Sequence, residues 1–322
     1  MNKLVLLEYQ TKYYGDPSPG ILHEYSVQPY FKSNFFENDI FTVHFNNGHS
    51  ASRMGWLFPV LAIGSDSHDY SEDVHFAHYA KIAAAYAEQG LPDEVDENTH
   101  LLILKDNFLV TNDIFIDNFD IALMKYGYYK STSNSVYSNK YFSVDYKTTN
   151  KIIVNKTPRI CNLNSYVNKL LLDVLPTTKE NLARFICIYQ VIEMLMEHFY
   201  NNKIDDLRSN RNTIGTIREK MQEFSSERKL LSGLFTEYLL SRAIDSEESD
   251  LVQKIFTTYK NQNYYTNLTL PNLIYDIRNV IVHNYYKYEL ETLMIDISDT
   301  MEKIIIEIFH CDRIFPAIAK KV

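Results

Sequence analysis

Residues 179–200 read KENLARFICIYQVIEMLMEHFY. Leu182, Phe185, Ile186, Tyr189, Ile192, Leu195, Met196 and Phe199 recur there at intervals of three and four. That spacing places them along one side of an α-helix running from Lys179 to Tyr200. Thr177 or Thr178 supplies a capping hydroxyl, and Pro176 closes the preceding helical stretch, Tyr166 to Leu175, which Asn164 and Ser165 cap. An apolar stripe of this length needs partner helices to cover it. The downstream sequence offers them: Arg211 to Phe224, Glu227 to Ala243, Glu247 to Tyr259, a helix opened by Leu270-Pro271-Asn272 that extends toward Tyr288, and Leu290 to Phe309. The last has Leu293, Ile297, Met301, Ile304, Ile305 and Ile308 on its apolar face. Six or seven helices with short connections predict an antiparallel bundle over residues 161–322.

Upstream of Pro158 the period changes. Leu4 to Leu7, Phe41 to Phe45, Phe58 to Gly64, Leu101 to Leu104, Phe108 to Val110, Ile114 to Ile116, Tyr141 to Asp145 and Lys151 to Val154 are short aromatic or aliphatic runs between polar turns, the pattern of strands. One helix interrupts them, started by Ser71 with Glu72 and Asp73 and stopped by Gly90-Leu91-Pro92. Lys130 to Lys140, rich in Ser, Asn and Tyr, reads as an exposed loop. The chain is therefore expected to be α+β. A mostly antiparallel domain over residues 1–160 docks or senses something, and a helical domain follows it. No internal repeat or low-complexity tract is present.

Composition narrows the function. Hydrophobic residues make up 45% of 322, enough for a sizeable core. The net charge is −9, and both halves are acidic, which excludes a general nucleic-acid binder working through a broad basic patch. Any nucleic-acid contact has to be local. Cys161, Cys187 and Cys311 are odd in number and widely spaced, so neither a disulfide framework nor a zinc site is expected. That pattern fits a reducing cytoplasm. The start, MNKLVLLEYQ, lacks a signal-type apolar core, and no run of 18 apolar residues predicts a membrane span.

The chemistry-bearing stretch lies late, at Tyr275-Asp276-Ile277-Arg278-Asn279-Val280-Ile281-Val282-His283-Asn284-Tyr285. On a helix Asn279 and His283 stand one turn apart on one face. Arg278 lies about 140° around from His283, within reach of a long side chain. A permanently charged planar donor suited to phosphate, a proton-transfer group for neutral pH and an orienting amide thus address one small volume.

This arrangement resembles the Arg-Asn-x-x-x-His motif of the HEPN superfamily, whose catalytic members are metal-independent endoribonucleases. The resemblance implies a helical bundle and a homodimer that brings two motif copies together. It implies RNA as substrate, tRNA among the candidates, and no cofactor. By that resemblance His283 is the general acid or base, Arg278 stabilises the phosphorane and Asn279 orients either partner. The helix around Glu193 resembles one carrying an inward acidic residue in ApeA-like HEPN domains, so Glu193 is expected to pair Arg278 or position His283. Otherwise it lies on the solvent stripe with Glu197. His283-Asn284-Tyr285 resembles the His-x-Tyr of HEPN toxins, in which a partner enzyme modifies the tyrosine. Tyr285 is thus a candidate regulatory position, with aromatic packing as the plainer role. Anti-phage defence or a regulated toxin, set off by a trigger at the N-terminal domain, follows from the resemblance alone.

Two other readings compete. The bundle is a non-catalytic binding or dimerisation module, with Arg278 and His283 as buried structural residues. Or Asp66, His68, Asp69, Glu72, Asp73, His75 and His78 hold a hydrolytic metal, although such runs usually begin a solvated helix. No Gly-rich phosphate loop or nucleophile elbow is present.

Overall fold

A computed structural model describes residues 15, 20–32, 40–46, 50–64, 70, 72–91, 96–112, 114, 118–124, 126–130, 151–155, 165–178, 180–209, 212–239, 269–284 and 291–309. The chain divides into two compact units, Met1–Arg159 and Ile160–Val322.

The first unit is built on a six-stranded sheet. In chain order the strands are β1 (Tyr25–Phe31), β2 (Phe41–Asn46), β3 (Ala51–Pro59), β4 (Thr99–Lys105), β5 (Tyr129–Lys130) and β6 (Lys151–Asn155). Their order across the sheet is β5-β1-β4-β3-β2-β6. Every pairing is antiparallel except β2 with β6. The central strands are apolar without alternation, as in Met54 to Pro59 and Leu101 to Leu104, because both faces of the sheet are covered. On one face Trp56, Phe58, Leu101 and Ile103 pack with Phe76, Tyr79, Ala80, Ala83 and Ala87 of α1 (Val74–Gly90). On the other, Met54, Leu57, Leu102 and Leu104 pack with Leu109 of α2 (Asp106–Thr111) and Phe119 and Leu123 of α3 (Asn118–Met124). Gly55 is required where β3 crosses β4. A Cβ there would stand 2.0 Å from the Ile103 carbonyl oxygen. The β2–β3 register slips between Val43 and His44, opposite this point.

Several expectations are corrected. Phe108 to Val110 belongs to helix α2, not to a strand: an apolar triplet fits either period, and the helix packs Leu109 against Leu57, Leu102 and Leu104. Val60 to Gly64 is a 3₁₀ turn leaving β3. Among the described residues the first unit holds three α-helices where one was expected. The helix expected at Ser71 begins after Asp73, whose carboxylate accepts from the backbone N–H of His75 (2.7 Å) and Phe76 (3.1 Å). Lys130 belongs to β5, and residues 131–140 of the expected loop lie outside the described residues. Leu4 to Leu7, Tyr141 to Asp145 and Glu247 to Tyr259 lie outside the described residues.

The second unit is helical: α4 (Ser165–Asn168), α5 (Asn181–Ser209), α6 (Ile214–Glu223), α7 (Glu227–Leu239), α8 (Leu270–Asn284) and α9 (Glu291–Phe309). Between α4 and α5 the chain stays wound, π-helical over Lys169–Val174 and 3₁₀ over Leu175–Thr177. Helix α5 runs nine residues past the expected Tyr200. It packs on α6, α7 and α9, and α7 packs on α8. Gly233 lets α7 approach α5, with Phe199 ring atoms 3.0 Å from where a Cβ would sit. Polar ties add specificity. Lys203 donates to Glu237 at 2.6 Å, Tyr238 donates to Glu307 at 2.7 Å, and Arg184 pairs with the fully buried Glu302. No helix among the described residues is long and apolar enough to cross a membrane.

Candidate functional site

Helix α8 is held by one face. Leu270, Leu273, Ile274, Ile277 and Ile281 are buried, the three-and-four spacing of a stripe packed on a neighbour, here α7. That burial fixes the helix rotation and leaves Asp276, Arg278 and Asn279 half-buried, with Val282 and His283 exposed.

Three helices converge on the Arg278 guanidinium. Its Nη1 donates to Asn279 Oδ1 at 3.1 Å. Its Nη2 stands 3.8 Å from Glu193 Oε1 on α5, and its Nε 3.7 Å from Glu227 Oε1 at the start of α7. Its centre lies 5.7 Å from the middle of the Tyr189 ring on α5, within cation–π range. The two carboxylates are at ion-pair distance but beyond hydrogen-bond length. They attract the cation without taking its N–H donors, and on the side of Glu193, the more exposed of the two, Nη2 is left able to donate to a phosphate oxygen.

The surroundings are coupled. Tyr189 O–H donates to Glu227 Oε1 at 2.7 Å. Burial, then the hydrogen bond and charge of Glu227, push the Tyr189 phenol far up, so it remains a donor. Burial and the neighbouring Glu227 raise the Glu193 carboxyl, and Arg278 opposes them. One residue further along α7, Arg228 pairs with Asp276 and lies 4.8 Å from the centre of the Tyr275 ring. The opening residues of α7 thus present acid then base to a base and an acid on α8.

Of the residues expected from sequence, Arg278, Asn279 and Glu193 come together. Glu193 is exposed like Glu197, yet it faces Arg278. His283 is exposed in the last turn of α8. No hydrogen bond or ion pair joins it to Arg278, Asn279 or Glu193 among the described residues. Helical geometry sets it about 7.5 Å along the axis from Arg278. Tyr285 lies outside the described residues. Glu227 and Tyr189 were not singled out by sequence. An acid opening a helix reads as a partner for the helix dipole, and a tyrosine on an apolar stripe reads as core.

The competing metal cluster is not assembled among the described residues, where no group of three or more His, Cys, Asp or Glu could hold an ion. Asp73 caps α1, and His78 Nε2 meets the Tyr25 hydroxyl at 2.9 Å. Asp66, His68 and Asp69 lie outside the described residues. Comparison of the chain with protein-family models, with curated proteins and with solved structures finds no match.

Proposed function

We propose that the second unit is a HEPN-type helical bundle that cleaves RNA without a metal, leaving 2′,3′-cyclic phosphate and 5′-hydroxyl ends. The observation that carries this reading is Arg278: a half-exposed guanidinium, oriented by Asn279 and framed by carboxylates that leave donors open, five residues before an exposed histidine. A buried structural pair would instead have its donors satisfied.

In this chemistry the ribose 2′-oxygen forms a bond to the adjacent phosphorus and the bond from phosphorus to the 5′-oxygen breaks. The 2′-hydroxyl gives up its proton, and the leaving oxygen takes one. His283 serves one of these transfers, a role worth ~100- to 10,000-fold. Arg278 faces the equatorial oxygens, whose negative charge grows as the phosphorane forms, and a fixed cation is most effective there. A homodimer through the bundle would bring a second Arg278 and His283 to the same phosphate. The acidic surroundings of Arg278 favour a selective or triggered enzyme over an indiscriminate one, in keeping with a role in cytoplasmic defence gated by the first unit.

One observation favours the other reading. Arg278 meets carboxylates from two other helices, which is also how a structural clamp is built, so a non-catalytic dimerisation or binding module is the second candidate. Purified wild type and His283→Ala are incubated with total RNA and with tRNA in EDTA, and product ends are analysed. Cyclic-phosphate ends from wild type alone support the nuclease. Equal cleavage by both removes His283 from the reaction.

A further inference from the structure

We infer that Glu227, held by the Tyr189 hydroxyl, is a positioning residue that fixes the plane of the Arg278 guanidinium, a role that deepens the nuclease reading and rests on it for its catalytic consequence. A single carboxylate oxygen, Glu227 Oε1, both accepts the Tyr189 hydroxyl at 2.7 Å and faces Arg278 Nε at 3.7 Å. Tyr189 is itself packed in place: it is buried and its ring stacks on Phe185. The tyrosine therefore supports Arg278 twice, through its ring beneath the guanidinium and through the oxygen it anchors. The next residue, Arg228, holds Asp276 on α8. The start of α7 thus engages α8 on both sides of Ile277.

The three edges of the guanidinium have different neighbours. Asn279 takes Nη1, Glu193 faces Nη2 and Glu227 faces Nε. Glu193 is the most exposed of these carboxylates, so it is the one a phosphate can displace. Glu227, tied back to Tyr189, stays. A guanidinium fixed along its Nε side turns its Nη edge toward the open side, as in-line phosphate recognition requires. Glu227 also carries a charge that repels RNA. Positioning and simple charge therefore predict opposite results. Removing the charge alone would tighten RNA binding and leave turnover intact. Removing the brace lowers turnover.

The test uses the full chain. Cleavage kinetics on a defined tRNA are measured for wild type, Glu227→Gln, Glu227→Ala, Tyr189→Phe, Arg278→Ala and Arg278→Ala with Glu227→Ala. In parallel, ¹⁵N relaxation of the Arg278 Nε–H reads its order without any substrate. The expected result is a fall in kcat of about 10- to 100-fold for Glu227→Ala with KM unchanged or lower. Tyr189→Phe and Glu227→Gln show a smaller fall in the same direction, and Glu227→Ala adds nothing in the Arg278→Ala background. The Nε–H signal is ordered in wild type and mobile in Glu227→Ala. An Nε–H signal equally ordered in both overturns the proposal whatever the kinetics, as do additive losses in the double variant or a rise in kcat/KM with kcat unchanged. If wild type cleaves nothing, the nuclease reading fails. The relaxation arm still decides the brace, because loss of order on Glu227→Ala supports it without any reaction. Should Glu227→Ala fail to fold, Glu227→Gln and Tyr189→Phe carry the same comparison.

Discussion

Arg184 on α5 and Glu302 on α9 form an ion pair buried at 5% and 0% exposure, with Asp299 of α9 3.9 Å from the same guanidinium nitrogen. Desolvating both charges is costly, and their mutual attraction repays it only while both are present. Arg184→Met strands Glu302, and a loss of about 3–5 kcal/mol in denaturant unfolding is expected. Arg184→Met with Glu302→Leu recovers most of it. A double variant as unstable as the single one would show that the pair adds net stability beyond satisfying itself.

Asp299 gives the helical unit a pH dependence. Burial pushes its carboxyl up to about 6, against the pull of Arg184 and Lys303 and with help from Asp296. The unfolded chain releases this proton near pH 4 and the folded chain only near pH 6, so the folded state holds more protons between them. The contribution is present below about pH 4 and lost as pH rises through about 6. Relative to wild type, Asp299→Asn is expected to gain in Tm at pH 7 and to gain little or nothing at about pH 3.5. Equal shifts at the two pH values would rule out this titration.

Gly55 tests the first unit. The clash of an added methyl with the Ile103 carbonyl involves backbone on both sides, so neither strand yields cheaply. Gly55→Ala is expected to cost about 1–3 kcal/mol or more, seen as a lower urea midpoint or loss of soluble protein. A neutral substitution would mean that β3 and β4 part more readily than their register implies.

His283 is exposed, so His283→Ala should leave Tm within about 1 °C of wild type, as surface substitutions do. Lost cleavage at unchanged Tm separates chemistry from folding. A large fall in Tm would assign His283 to the scaffold instead.

Much of the helical unit was legible because its stripes are long. Leu182 to Phe199 and Leu293 to Ile308 show a period that no strand can satisfy. The sheet was harder to read. Leu101 to Leu104 reads as a short strand, but Phe108 to Val110 is too short to show a period, and Tyr25–Phe31 is interrupted by Pro29. The site divides in the same way. Arg278 and Asn279 are adjacent in sequence, and Glu193 stood out as an acid on an apolar helix. Glu227 became visible only when α7 and α8 were side by side. Its partner lies 51 residues away in the chain, and nothing local marks the pairing.

The single tryptophan of the chain, Trp56, is 1% exposed in the core of the first unit, ringed by Tyr70, Phe76 and Tyr79. The one indole of the chain therefore lies in one half of the molecule. Emission excited at the indole band follows the melting of the sheet domain alone, while far-ultraviolet dichroism is dominated by the helices of the other. Two optical signals from an unlabelled sample can thus show whether a ligand of the first unit stabilises that unit only or carries its effect into the half that bears Arg278.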